Sequence, residues 1–486
     1  LTPELSLDLI YTPSFNLLEL EAFILRAADL ENLSTSIASC VRCGKCKSVC
    51  NTHYPEGNLF YNPRNKIMGV ALIIEAVLYD AQTSKSLSFR HFKKLREISD
   101  HCTICHKCQV PCPVKIDFGK VTLDTRNLLV NRKKAKFKLI TSFTLLYLRK
   151  RGYYFNKILR ILLLRIGYSF QRIAYYLNKP VRSITNTIVP KIGDYLESRL
   201  PRAGKKTFRE TFGQKGSSNF LIFENHELPV KKTVIYFPGC GSERMFSNIS
   251  FSALALLFHS GIRVIVPPEF LCCGYPLKAN GKTELAEMKS YENRVIFHRM
   301  SDILSYLEID NIIVSCGTCY EMLEVYELEN TFEGAELIDI SEFIVKERLY
   351  NNADSCEESV LYHDPCHTPL KKLGYQKVFN EIKTLSPTLI PYCCGEGGTL
   401  ALSTPDISIT LRARKSVQLD AITGKGNIKL LTTCPSCVQG LSRLSAKYSV
   451  DVWPLPVYLA HKYLGSKWKK NFITKAKKGG VEKILF

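Results

Sequence analysis

Short apolar runs and longer helical patterns alternate along the C-terminal half of the chain. Stretches such as 250–259 and 408–420 have helical spacing, and they lie between runs rich in β-branched and aromatic residues. Such runs predict short buried strands, and strands that alternate with helices indicate a parallel sheet with crossover helices. The predicted strands are 233–237, 312–314, 360–362 and 430–433.

The N-terminal half has helical patterns without comparable strands, over 65–79 and 89–98. Further along, apolar residues recur at helical spacing and predict one amphipathic helix. Its apolar stripe consists of Leu159, Leu162, Leu163, Ile166, Phe170, Ile173 and Leu177, and the side chains expected on the opposite sector are Lys157, Arg160, Arg165 and Arg172.

The positive charge of the chain is concentrated in the segment that contains this helix. Residues 131–215 hold 21 basic and three acidic residues, a net charge of +18 out of +21 for the whole chain. A basic amphipathic helix with interleaved tyrosines is typical of a segment that lies on an anionic membrane surface. The stripe could equally pack on this protein or on a partner subunit. Nucleic acid is disfavoured because no known nucleic-acid-binding motif accompanies the charge, and runs such as 161–164 are too short to span a membrane.

The composition is that of a globular protein with two to four domains, since 45% of the 486 residues are hydrophobic and 23% are charged. Collagen, coiled coil and wholesale disorder are excluded. The 19 cysteines are unusual, and without a recognisable secretory signal we expect them to be reduced and bound to metal. The chain starts at Leu1, which would fit a processed end or a fragment of a longer protein.

Eight cysteines form two runs of identical spacing, C-x2-C-x2-C-x3-C, as in two-cluster bacterial ferredoxins. Three thiolates of a run reach one iron-sulfur cube, and the fourth ligates the other cube. This predicts one 4Fe-4S cluster on Cys40, Cys43, Cys46 and Cys112, and a second on Cys102, Cys105, Cys108 and Cys50. Structural zinc sites are disfavoured, because they use two CxxC pairs or include histidine.

Ten further cysteines form a duplicated pattern. Cys240, the pair Cys272 and Cys273, and the pair Cys316 and Cys319 recur 126, 121 and 118 residues later, which indicates an internal repeat of about 120 residues. The matching residues are Cys366, Cys393, Cys394, Cys434 and Cys437, and Cys356 remains as an ordinary thiol. Because these cysteines follow predicted parallel strands, we expect each set to converge at one sheet edge.

These motifs resemble the iron-sulfur proteins with duplicated cysteine-rich CCG domains. The group includes iron-sulfur subunits of glycolate oxidase and lactate utilisation systems, the iron-sulfur region of large flavin-linked D-lactate dehydrogenases, and the catalytic subunit of heterodisulfide reductase. Residues 53–56 and 62–66 look most like the dehydrogenases. The resemblance to heterodisulfide reductase implies two further 4Fe-4S clusters, of non-cubane type, on the two sets of five cysteines.

The resemblance implies an iron-sulfur module of a respiratory flavin-linked dehydrogenase for a lactate-like or glycolate-like 2-hydroxy acid. The module would pass electrons to membrane quinone or to another respiratory carrier. FAD is expected on a partner or missing domain, because no G-x-G-x-x-G follows a strand here. The module would lie in the cytoplasm against the inner face of the cell membrane. The alternative is a thiol-disulfide reductase. Candidates for proton transfer are His363, His367 and Glu396.

The resulting fold class is α/β, with duplicated CCG lobes built on parallel sheets and an N-terminal α-helical ferredoxin domain. The expected divisions are a helical lead-in at 1–39, the ferredoxin domain at 40–130, the basic amphipathic segment at 131–225, the first CCG lobe at 226–352 and the second at 353–486.

Overall fold

The computed structural model describes residues 17–53, 61–84, 87–135, 137–149, 153–178, 180, 204, 206–214, 219–268, 270–350, 358–382, 385–397, 399–422 and 428–486. The chain divides into two compact units. Unit 1 comprises residues 1–136 and 278–282, and unit 2 comprises residues 137–277 and 283–486. Cys356, Tyr54 and Pro55 lie outside the described residues, as does most of 179–203 in the basic segment.

Unit 1 is helical in the described residues. Its apolar side chains form one core, in which Val70, Val77, Phe92 and Leu95 are fully buried. Asp117 begins the last helix by accepting a hydrogen bond from the Gly119 amide at 2.8 Å. The helices are α1 (Leu17–Ala27), α2 (Glu31–Ala38), α3 (Pro63–Ser84), α4 (Phe92–Asp100) and α5 (Phe118–Asn131), with a 3-10 turn at Lys107–Gln109.

Unit 2 contains two β-sheets with the same central topology. In the first lobe, parallel strands lie in the order β3-β2-β4-β5, and β1 and β10 extend the β3 edge in antiparallel fashion. In the second lobe, parallel strands lie in the order β7-β6-β8-β9. The strands are β1 (Asn219–Phe223), β2 (Lys232–Phe237), β3 (Ile262–Val266), β4 (Asn311–Val314), β5 (Glu336–Asp339), β6 (Glu358–His363), β7 (Leu385–Leu389), β8 (Ile428–Thr432), β9 (Val450–Pro454) and β10 (Val481–Leu485).

The remaining helices lie before and between these strands. They are α6 (Leu139–Arg149), α7 (Tyr153–Arg160), α8 (Gly167–Asn178), α9 (Phe208–Thr211), α10 (Asn248–His259), α11 (Tyr275–Ala279), α12 (Thr283–Ile303), α13 (Gly317–Glu324), α14 (Leu328–Thr331), α15 (Ile340–Lys346), α16 (Gly374–Glu381), α17 (Leu400–Ser403), α18 (Pro405–Ile422), α19 (Pro435–Tyr448), α20 (Leu455–Leu464) and α21 (Trp468–Lys475). The predicted fold class is confirmed. The predicted strands correspond to β2, β4, β6 and β8, the central strands of the two lobes.

The predicted amphipathic helix is observed as α7 and α8, joined by a π-helical stretch at Ile161–Ile166. Its apolar stripe is exposed at Leu162, Ile166, Phe170, Ile173 and Leu177, with Phe170 72% exposed and Leu177 71%. Thus most of the stripe does not pack on this chain. Leu159 differs from these five, because it is buried against Tyr147 and Leu148. The side chains of Leu163 and Arg165 lie outside the described part of the chain.

The expectation that Arg160 projects outward with the other basic residues is wrong. Its side chain is buried, and its Nη1 atom pairs with Glu210 at 3.0 Å while Nε donates to the Arg244 carbonyl. Helical periodicity relates only residues within the same helix. It therefore could not predict the ion pair with Glu210, and the pattern placed Arg160 on the solvent side.

One helix in the described part of the chain, α3 of unit 1, is long and apolar enough to cross a membrane by length and composition. The sequence predicted a helix over 65–79 but did not identify it as a possible membrane span. Nine of its residues are buried, and Val70, Ile74 and Val77 belong to the unit 1 core.

Candidate metal centres

Unit 1 brings together the cysteines predicted for the first cube. A pocket is lined by the thiols Cys40, Cys43, Cys46 and Cys112, together with Cys108 from the other run. Burial raises the pKa of Cys46, and the negative charges of Cys50 and Cys112 act in the same direction. Thiols grouped in this way need a cation before they can ionise together, which is the environment an iron-sulfur cluster fits.

The second predicted set also meets in unit 1. Cys50 is close enough to Cys102 to feel its charge, and Cys108 feels the charges of both Cys102 and Cys105. Burial raises the pKa of Cys108 to about 12. The fourth cysteine of each run therefore faces the other run, as the ferredoxin rule requires.

Lys66 is a buried cation beside Cys50. Its Nζ atom donates to the Thr52 hydroxyl at 3.0 Å and to the His101 carbonyl. The Thr52 Oγ1 atom is in turn 3.3 Å from the Cys50 Sγ atom. Burial raises the pKa of Cys50, and the Lys66 charge opposes that shift. In the sequence, Lys66 stood out only as the last residue of the 62–66 motif.

In the first lobe of unit 2, the five cysteines follow the carboxyl ends of adjacent parallel strands. Cys240 comes after β2, Cys272 and Cys273 after β3, and Cys316 after β4, where it is the N-cap of α13. The interaction between the neighbouring thiols of Cys240 and Cys272 lowers the pKa of Cys272 and raises that of Cys240. Cys273 contacts Cys319, and Cys319 contacts Cys316, so all five thiols form one chain of contacts.

The second lobe repeats this arrangement. Cys366 follows β6, Cys393 and Cys394 follow β7, and Cys434 caps the N-terminus of α19. The contacts run from Cys366 to Cys393, from there to Cys394, then to Cys437 and Cys434.

The two sets of five thiols meet. The thiols of Cys316 and Cys434 are close enough for each to act on the other: their interaction raises the pKa of Cys434 and helps to lower that of Cys316. The backbone approaches closely on either side of this contact. A Cβ atom on Gly317 would lie 1.6 Å from the His367 carbonyl oxygen, and one on Gly241 would lie 2.6 Å from Pro435.

The donor chemistry of each lobe fits an iron-sulfur group. Four of the five thiols in each lobe are buried, and the fifth is half-buried. Buried thiols that lie this close to one another cannot all ionise unless a cation compensates their charge. Thiolates are soft ligands that select iron-sulfur clusters, zinc and Cu(I). Five of them exceed the four ligands of a tetrahedral zinc site.

The residues proposed for proton transfer have different surroundings. The His367 ring accepts or donates a hydrogen bond with Tyr275 at 2.9 Å, and its other nitrogen contacts Glu321. Glu396 is buried and pairs with the Arg443 Nε atom at 2.7 Å. His363 is buried, and a ring nitrogen lies within 4.8 Å of the Cys394 and Cys437 sulfurs.

Sequence reasoning missed a second buried lysine. Lys415 on α18 is fully buried, and its Nζ atom is 3.0 Å from the His363 Nδ1 atom. Burial lowers the pKa of Lys415 to about 8, while the negative charge of nearby cysteines such as Cys394 and Cys437 opposes that shift. The helical pattern around Lys415 mixes polar and apolar residues and did not predict its burial. The carbonyls that bind it are on the loop 390–392, outside the helix.

Comparison with known families assigns the same regions. Residues 36–116 match the 4Fe-4S dicluster domain, and residues 234–324 and 360–442 each match the cysteine-rich CCG domain. The chain therefore contains a 4Fe-4S dicluster domain and two CCG domains. Residues 454–486 match a domain of unknown function (DUF3400). No solved structure matches this CCG-domain protein significantly.

Three curated relatives show the range of the similarity. An uncharacterized iron-sulfur protein of Methanococcus maripaludis is 25% identical over 54% of this chain, and this chain spans only 56% of that relative. The glycolate oxidase iron-sulfur subunit of Escherichia coli is 22% identical over 86% of this chain and 93% of its own length. A subunit of the dihydromethanophenazine:CoB–CoM heterodisulfide reductase of Methanosarcina mazei is 21% identical over 87% of this chain and 94% of its own length. These relatives support an electron-transfer role.

Proposed function

We propose that this chain is the electron-transfer module of a respiratory flavin-linked dehydrogenase for a lactate-like or glycolate-like 2-hydroxy acid. The observation that carries the proposal is the grouping of 18 cysteines into two sets in unit 1 and two joined sets in unit 2. The similarity to the glycolate oxidase iron-sulfur subunit, over nearly its whole length, supports the choice of substrate class.

The predicted ligand sets are proposed unchanged. Iron-sulfur clusters held by these thiolates would accept and pass on single electrons. The chain's own residues would hold the clusters, exclude water from them and offset their negative charge. Lys66 would do the last of these in unit 1, and Lys415 in the second lobe. FAD would reside on a partner or a further domain.

The exposed stripe on α7 and α8 would place the module at an anionic lipid surface, where quinone is available. The supporting observations are the five exposed apolar side chains of the stripe and the net charge of +18 over residues 131–215. An apolar face flanked by basic residues binds an anionic lipid surface by burying its apolar side chains and by electrostatic attraction to the headgroups. The protein would then work at the inner face of the cell membrane.

The proposal is tested by asking which substrate reduces the chain in its native assembly. The tagged chain is purified anaerobically with its bound partners, and glycolate, D-lactate and L-lactate are added separately while EPR follows the metal signals. Reduction by one hydroxy acid, followed by reoxidation with a soluble quinone analogue, is expected. Reduction by none of them would contradict the dehydrogenase assignment.

A second candidate is a thiol-disulfide reductase. The contact between Cys316 and Cys434 favours it, because this contact joins the two complete sets of five thiols. The similarity to the heterodisulfide reductase component of Methanosarcina mazei agrees. If this candidate is right, the dithionite-reduced chain is reoxidised by a disulfide, with two thiols released per disulfide consumed. Hydroxy acids would then have no effect.

A further inference from the structure

The second lobe contains a fixed polar pair that the first lobe lacks. His363 is the last residue of β6 and lies three positions before Cys366. The corresponding residue of the first lobe, at the end of β2 and three positions before Cys240, is Phe237. Both side chains are buried. The two lobes therefore have the same cysteine pattern and strand order. They differ in the buried side chain at the end of the strand before the first cysteine, which is histidine in the second lobe and phenylalanine in the first.

Lys415 is held on all sides by acceptors. Besides His363, its Nζ atom contacts three successive backbone carbonyls, those of Ile390, Pro391 and Tyr392, at 3.1, 2.7 and 3.1 Å. These carbonyls belong to the loop that leads directly into Cys393. Among the described residues no carboxylate forms an ion pair with Lys415, so the anionic sulfurs of the lobe are its counter-charge.

These contacts fix the protonation of His363. A lysine ammonium has three N–H donors and no acceptor, so it can only donate to the His363 Nδ1 atom. The ring proton must then be on Nε2. A ring nitrogen of His363 lies within 4.8 Å of the sulfurs of Cys394 and Cys437. With Nδ1 engaged by Lys415, the Nε2 N–H is the group that His363 has left to offer to a sulfur acceptor of this lobe.

We propose that Lys415 and His363 act as a positioning pair that sets the reduction potential of the iron-sulfur group of the second lobe. This inference rests on the proposed ligand set Cys366, Cys393, Cys394, Cys434 and Cys437. Reduction adds one electron to the group, and no bond forms or breaks. A cation and an N–H donor stabilise the more negative, reduced form and therefore raise the potential.

The first lobe also has a buried cation beside its cysteines, Arg244. The two lobes therefore differ in the histidine and not in having a buried positive charge. Arg244 feels the charges of Cys272 and Cys240, and its guanidinium lies 3.1 Å from the centre of the Phe270 ring. It donates to the Tyr147 carbonyl at 2.7 Å. What the first lobe lacks is a donor at the position of Phe237, which is why that lobe serves as the internal control.

The test is EPR-monitored redox titration of the anaerobically purified full chain with dithionite. The variant His363→Phe gives the second lobe the side chain of the first, while leaving the lysine-to-carbonyl bonds possible. His363→Gln retains an N–H donor, and Lys415→Met removes the cation. Signals are assigned to the lobes by their loss in Cys394→Ser and Cys273→Ser.

At the wild-type midpoint, we expect His363→Phe to lower the ratio of reduced to oxidised second-lobe group about tenfold, because the N–H dipole beside the negatively charged group is removed. For a one-electron couple this corresponds to about 59 mV. Lys415→Met should shift the potential in the same direction, His363→Gln should restore most of it, and the first-lobe signal should not move.

Two results would overturn the inference, and they are distinguishable. If the second-lobe signal is present but its potential is the same in His363→Phe and wild type, the pair is only structural and the proposed function stands. If the wild-type protein has no signal that depends on Cys394, the proposed ligand set itself fails, and the inference fails with it.

Discussion

Replacing Gly317 by alanine tests how closely the two CCG lobes approach each other beside their cysteines. The added Cβ atom would lie 1.6 Å from the carbonyl oxygen of His367, and both groups belong to the backbone. Neither can rotate away, so the lobes must shift and the contact between Cys316 and Cys434 must open. Overpacking of this kind costs about 1–3 kcal/mol, and occasionally more.

The assay is thermal unfolding of the anaerobically purified protein together with its iron content. A loss of ~3 kcal/mol lowers Tm by roughly 6–12 °C in domains of 150–250 residues, and by somewhat less in the larger unit 2. The control is Gly167→Ala, where the nearest atom to the new Cβ is 3.7 Å away. That change should be neutral or stabilise by about 0.5–1 kcal/mol. Equal Tm and iron content in the two variants would refute the close approach.

Three further predictions concern buried charge, pH and the exposed stripe. Lys66→Met should destabilise unit 1 by about 1–3 kcal/mol, because buried acceptors lose their donor. The control Lys94→Met, on the surface, should cost under ~1 kcal/mol. Urea unfolding measures the free energy of unfolding of both variants. Burial raises the pKa of Asp339 to about 8, so its contribution to stability is present below its unfolded pKa and is lost as pH rises through 8. Asp339→Asn should accordingly gain stability relative to wild type at pH 8 but not at pH 4, and equal differences at both would contradict this. Phe170→Asp should weaken flotation with phosphatidylglycerol–phosphatidylcholine vesicles about tenfold, and the equally exposed Val417→Asp should not.

The central strands and the cysteine sets could be predicted because their signals are local. A buried parallel strand such as β2 or β4 is a short apolar run, and the cysteine that follows it marks the carboxyl end of the strand. Repetition after about 120 residues then implied that the second lobe copies the first, and the two sheets do share the order of their four central strands.

What could not be predicted depends on residues that are distant in the sequence. β1 and β10 pair with each other although more than 250 residues separate them, and no pattern in either strand specifies the partner. Arg160 looked exposed because its partner Glu210 lies outside the helix. Lys415 gave no signal for the same reason, since its acceptors are on the loop before Cys393.

The most direct test of the account is the iron and acid-labile sulfide content of the anaerobically purified chain, combined with EPR of its reduced and oxidised forms. Two sets of four and two sets of five thiols predict four clusters, or about sixteen irons per chain at four per cluster. The variants Cys273→Ser and Cys394→Ser should each lose about four of them. About eight irons, unchanged in both variants, would contradict the claim that the CCG lobes hold iron-sulfur groups.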